Sequence, residues 1–209
     1  MDSNLTELIP MAMDYFLQDN KLPELATPVA TIGKSIYEKI TSIKQNRFND
    51  KLYIFLTETA KATDKERIQF LERLGGDNKK FWEDVLVHLD NIDSQEKAAI
   101  TGKLSHALIL KYIDLDKIFR LNLIIKNTYV KDLVFLHENY SKNQNEIEKA
   151  NNKFLPFDID GESKTIIHNL VNIGLLRSQS TGMLQHAMER SRAGYSKTEL
   201  GALLLKYGF

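Results

Sequence analysis

Cysteine is missing from this chain of 209 residues. Its absence excludes a disulfide scaffold, a thiolate metal site and a cysteine nucleophile. Net charge is missing too, because 28 lysines and arginines stand against 28 acidic residues. The whole molecule therefore has no strong field with which to draw in nucleic acid or an anionic membrane. No apolar run approaches the roughly 18 residues that span a bilayer. The opening "MDSNLTELIP" has no basic stretch leading into an apolar one, so no secretory leader is read there and a cytoplasmic location is expected. Only four prolines punctuate the chain, and its 43% hydrophobic content is that of a folded domain rather than a disordered one.

What is present is helical periodicity, segment after segment, with almost no alternation of period two. Leu5, Leu8, Ile9, Ala12 and Phe16 share one face, and Asn4 with Glu7 forms a capping pair. Pro23 and Pro28 break that pattern. Pro28 suits the first turn of a second helix reaching about Gln45, with a stripe of Val29, Ile32, Ile36, Ile40 and Ile43. A third helix is expected from about Asn49, with Phe48, Leu52, Phe55 and Leu56 on one face; alternatively the two form one long kinked helix. Thr63 and Glu66 make a capping box, Ile68, Leu71 and Leu74 are expected inside, and Gly75-Gly76 ends that helix. Asp77 is expected to cap a helix carrying Phe81, Trp82, Val85, Leu86 and Leu89. Asp93 and Glu96 start another with Ile100, Leu104, Ala107 and Leu108 inward, where the small Gly102, Ser105 and Ala107 admit a close neighbour.

Asp114 then caps "LDKIFRLNLIIKN", which is apolar nearly all round and is expected to be the most buried helix. Val130, Leu133, Val134 and Tyr140 mark one more. The last fifty residues differ: a helix from Ser163 to Ile173, a short strand in "GLLRSQ", an ambiguous "STGMLQHAMERSRAG", and a Ser196-x-x-Glu199 box opening a final helix. The expected fold is all-α: a multi-helix bundle over residues 1–142, a polar connector over 143–160, and a small C-terminal helical element over 161–209 that includes a short winged-helix-like hairpin.

Tests for chemistry come out negative. Five histidines are present, none in an H-E-x-x-H or H-x-x-x-H pair, so no metal site is expected. "DIDGES" at Asp158–Ser163 opens like a calcium loop but reaches Leu170 near the position where an acidic ligand is needed, and reads as a turn into a helix cap. "TIGKS" around Gly33 lacks the first glycine of a phosphate loop. No G-x-S-x-G or G-x-G-x-x-G segment occurs. The carboxylate pairs lie at helix ends and solvated faces. The reading is of a protein that is not an enzyme, with no cofactor, no metal and no evident small-molecule substrate.

Two features rise above this background. From Glu162 to Phe209, six basic residues against three acidic ones leave a net +3, so the remainder carries −3. A helix, a short strand, a basic segment and a capped helix follow one another there, the order found around the wing of winged-helix DNA binders, whose helix before the strand enters the major groove. The candidate nucleic-acid-binding residues are Lys164, Arg177, Arg190, Arg192 and Lys197. The other reading of this tail is a plain docking element. The second feature is the N-terminal pair of amphipathic segments, in which Met11, Met13 and Tyr15 lie off the main face and point to a helical partner, a second copy or the chain's own bundle. The stripe Val29 to Ile43, with Lys34, Lys39 and Lys44, also fits a membrane surface.

From Pro28 to Tyr140 the segments "PVATIGKSI", "NDKLYIFL" and "KERIQFLERLGGDNKKFWEDVLVHLDNIDSQEKAAITGKLSHALILKYIDLDKIFRL" resemble a group of small helical bacterial proteins, the abortive-infection alpha proteins. The turn "IDSQEKAAITGKL" followed by "IDLDKIFRLNLII" is the most specific part. Leu170, Gly174, Leu175 and Leu176 match a closing "L-x-x-x-GLL", and Tyr195, Thr198 and Gly201 a terminal "Y-x-x-T-x-x-G". The resemblance implies a bacterial cytoplasmic protein from a phage-defence setting, and carries over no catalytic residue. The expected function is regulation or protein interaction, with a protein partner or a homo-oligomer. The alternative is a nucleic-acid-binding regulator using the tail; a membrane-acting effector is the weaker third reading, since the sequence speaks against membrane partners.

Overall fold

Phe48, Leu52, Phe55 and Leu56 are all buried, and they lie on one face of a helix, α1, that runs unbroken over Ile43–Thr59. The expected interruption between Gln45 and Asn49 does not occur. The computed structural model describes residues 43–75, 78–142, 161–178 and 195–209, so the first helix, the helix starting at Pro28, the Asp77 cap, the 143–160 connector, the Asp158 turn and the segment "STGMLQHAMERSRAG" with Arg190 and Arg192 all lie outside the described residues. Within them the fold is all-α, with eight helices and one two-stranded ribbon. The chain divides into two compact units, Met1–Ile118 and Phe119–Phe209.

In the first unit, α1 is followed by α2 (Asp64–Leu74), α3 (Asn78–Asn91) and α4 (Gln95–Ile109). The Thr63–Glu66 box is formed in both directions: Thr63 accepts from the Glu66 N–H, and Glu66 accepts from the Thr63 N–H. Gly75 ends α2 at φ +57°. The buried side of α2 is turned from the expected one. Arg67, Phe70 and Leu71 are inside, while Ile68 is 43% exposed. Phe70 wins the core position because its ring meets Phe81 edge to face at 5.3 Å, and Phe81 meets Trp82 in the same way. The α3 stripe of Phe81, Trp82, Val85, Leu86 and Leu89 is buried as expected.

The N-cap of α4 is Ser94, whose Oγ accepts from the Lys97 N–H at 3.2 Å. Asp93, the expected cap, instead pairs at 2.8 Å with the ammonium of Lys97, which is 1% exposed. A buried charge needs that partner more than the helix end needs a second cap. Gly102 is where α1 and α4 meet. A Cβ there would stand 2.7 Å from the Glu58 Cβ and 3.0 Å from the Phe55 carbonyl oxygen, so the small residue admits the neighbour. Two helix ends are closed by cations from other helices. Lys51 donates to the carbonyls of Asp90 (3.1 Å) and Ile92 (2.9 Å) at the end of α3. Arg73 donates to Leu108 (3.3 Å) and Ile109 (2.8 Å) at the end of α4. Both place a cation on helix-end carbonyls, the charge that terminus favours, and the Leu108 carbonyl also accepts the Lys111 N–H at 3.1 Å.

The unit boundary falls inside the next helix, α5 (Leu115–Asn127), which is capped by Asp114 accepting from the Lys117 N–H at 2.9 Å. The second unit continues with α6 (Val130–Lys142), α7 (Gly161–Asn172), β1 (Leu176–Ser178), β2 (Tyr195–Lys197) and α8 (Glu199–Tyr207). β1 and β2 pair antiparallel, Leu176 with Lys197, Arg177 with Ser196 and Ser178 with Tyr195. The core here is Leu121, Ile125, Leu133, Leu136, Ile166, Ile167, Leu170, Leu175, Leu176, Leu204 and Leu205.

Candidate functional site

The C-terminal segment is assembled from local backbone chemistry. α7 stops where Gly174 takes φ +79° and the Leu175 N–H reaches back to the Leu170 carbonyl at 3.0 Å, a turn that glycine makes without penalty. β1 starts at once. α8 is capped by Thr198 and not by the expected Ser196: Thr198 Oγ1 accepts from the Gly201 N–H at 3.0 Å and donates to the Gly174 carbonyl at 2.6 Å. The Thr198 N–H donates to the Leu175 carbonyl at 3.1 Å. Ser196 is drawn into β2 instead, where its hydroxyl accepts from Arg177 Nε at 2.8 Å. The strand in "GLLRSQ" and the hairpin are therefore present, with the chain from 179 to 194 joining the two strands.

α7 rests on α6 through Asn169, which donates to the Asp132 carboxylate at 3.1 Å, and through an ion pair between Lys131 and Glu162. The bond to Glu162 pushes the Lys131 ammonium above its ordinary value. Ile166, Ile167 and Leu170 face the core. The opposite side shows Gly161, Lys164, Thr165, His168 and Asn172 to solvent.

Three of the sequence-derived basic residues, Lys164, Arg177 and Lys197, lie among the described residues. Lys164 is exposed on α7. Arg177 is exposed and covers the buried Ser196. Lys197 lies over the Tyr140 ring of α6, with Nζ 4.1 Å from the centroid and 3.0 Å from the phenolic oxygen. Directly paired residues share a face of a ribbon and successive ones alternate, so this register sets Arg177 and Lys197 on opposite faces. Arg190 and Arg192 lie outside the described residues.

A second surface was not singled out by the sequence. α5, expected to be the most buried helix, is amphipathic. Ile118, Leu121 and Ile125 are inside, whereas Leu123 is 60% exposed, Phe119 38% and Leu115 36%. These three residues recur every four positions along the solvent side. Tyr112 before the helix and Tyr129 after it are exposed as well. The signal was in the sequence as apolar residues on both sides of one helix; among the described residues one of those sides is buried and the other is exposed.

His88 Nε2 lies 3.2 Å from the Thr101 hydroxyl, both buried. Burial pushes the His106 imidazole below its ordinary value. The His137 ring stacks on Phe209 at 4.4 Å. Among the described residues no three His, Asp or Glu side chains gather to hold a metal ion, and no helix is long and apolar enough to cross a membrane. No family model, curated protein or solved structure matches the chain.

Proposed function

We propose that the protein is a non-enzymatic regulatory protein that acts by binding a protein partner through the outward face of α5. The observation that carries this reading is the exposure of Phe119 and Leu123 on the side of α5 opposite the fully buried Leu121. Exposed apolar side chains aligned on one helix are the usual ground of helix-mediated recognition. The sequence resemblance of residues 28 to 140 to the abortive-infection alpha proteins supports a bacterial, cytoplasmic, phage-defence setting. The test is phage challenge of bacteria expressing the full chain or Leu123→Glu, with purified variants compared by circular dichroism. The expected result is a phage response that Leu123→Glu abolishes while the fold stays intact. A response that survives Leu123→Glu and Phe119→Glu contradicts the proposal.

A second reading, nucleic-acid binding, is favoured by the α7–ribbon–α8 segment and the solvent face of α7 bearing Lys164, His168 and Asn172. Fluorescence anisotropy with duplex and single-stranded oligonucleotides tests it. Binding through this face should weaken with salt, and Lys164→Ala should reduce the salt slope by about one. Absence of binding at both low and physiological salt retires it.

A further inference from the structure

Two pairs of exposed residues on the outward face of α5 are placed symmetrically. At 3.6 residues per turn, Phe119 and Leu123 lie to either side of the line opposite Leu121, each about 20° from it. Asp116 and Lys126 lie about 40° from the same line, again one on each side, and roughly 15 Å apart along the axis. Both pairs are centred on position 121. A two-fold axis through that point, perpendicular to the helix, brings Phe119 of one copy over Leu123 of the other and Asp116 of one copy over Lys126 of the other. Each contact then occurs twice, as an isologous interface requires.

Resting on the reading of this face as a binding surface, we propose that its occupant is a second copy of the chain, with the two α5 helices packed antiparallel. The apolar pair at the centre is desolvated by its own mate, and the opposite charges at the ends meet rather than repel. All four side chains stand on one continuous 13-residue helix, so their register does not depend on any loop. The contact is about 20 Å long, which is short for a permanent interface, and the dimer is accordingly a weak, concentration-dependent one.

Sedimentation velocity of the full chain from about 1 to about 500 µM reads this directly. The expected result is a monomer–dimer equilibrium that Leu123→Glu shifts to monomer at every concentration. Asp116→Lys and Lys126→Asp, each alone, weaken the dimer at least about tenfold, because each creates two like-charge contacts. The double exchange D116K/K126D restores it to within about threefold of the original, since the pairs are regenerated with reversed sign. All these positions lie on the solvent side of α5, and unchanged circular dichroism confirms that the variants fold. A dimer indifferent to Leu123→Glu, or a double exchange that fails to rescue, overturns the proposal. So does a monomer that instead pellets with phosphatidylglycerol vesicles in a Leu123-dependent way. A monomer throughout, with a phage response still lost in Leu123→Glu, overturns the second copy and leaves the binding surface standing; if Leu123→Glu changes neither, both fall.

Discussion

A methyl group at position 201 would stand 2.1 Å from the Leu175 carbonyl oxygen. That oxygen accepts the Thr198 N–H, so it is not free to retreat. Alanine is intrinsically the better helix former by about 1 kcal/mol. Overpacking against fixed backbone costs about 1–3 kcal/mol. Gly201→Ala is therefore expected to lower the stability of the second unit, measured by denaturant unfolding, and a stabilised variant would show that the contact can relax. Glu66 offers a prediction in pH. Its carboxylate accepts from the Thr63 backbone N–H and hydroxyl, both at 2.8 Å, which holds it below the ordinary glutamate value. A carboxyl whose folded value is depressed contributes stability above the unfolded value and loses it as pH falls through the folded one. The difference in Tm between the protein and Glu66→Gln should thus be present at neutral pH and shrink towards about pH 3; a difference that is flat with pH would assign no role to the charge.

Between helices, cations do the work of caps. Lys51 and Arg73 each close the end of a helix other than their own, and burial pushes both below their ordinary values. Replacing Lys51 by Met leaves the Asp90 and Ile92 carbonyls without that donor, and about 1–3 kcal/mol of stability should be lost. Equal stability of Lys51→Met would mean that water serves those carbonyls as well. The legibility of the elements follows from how local their signals are. The Thr63–Glu66 box and the stripes of α1 and α3 are settled within four residues, and they were readable. The starts of α4 and α8 were not. At α4 two capping residues stand side by side, and the choice falls to Ser94 because Asp93 is needed by the buried Lys97 ammonium. At α8 a Ser-x-x-Glu pattern competes with a strand pairing whose partner, Arg177, lies 19 residues away. The α2 register turned on Phe70 meeting Phe81 across two helices. The misreading of α5 had the same origin. Its apolar residues on both sides were taken for burial on both sides, which depends on neighbours that no local pattern names.

On the scale of the molecule, the all-α class was legible because it needs only the period and the punctuation of the chain. The short hairpin was legible as well, from a helix, a short strand in "GLLRSQ", a basic segment and a capped helix following one another. The candidate surfaces were not. The net +3 of the tail names residues without placing them; the ribbon register sets Arg177 and Lys197 on opposite faces, and Lys197 lies over the Tyr140 ring. The α5 face became visible only when burial separated Leu121 from Leu123. The account turns on that face being covered by a partner copy. Hydroxyl-radical footprinting of the full chain at rising protein concentration tests it most directly, with Ile68 (43% exposed) and Val87 (44%) as comparators on α2 and α3. The account predicts that oxidation of Phe119 and Leu123 falls as concentration rises while that of Ile68 and Val87 stays constant; four side chains oxidised at the same rates at every concentration would contradict it.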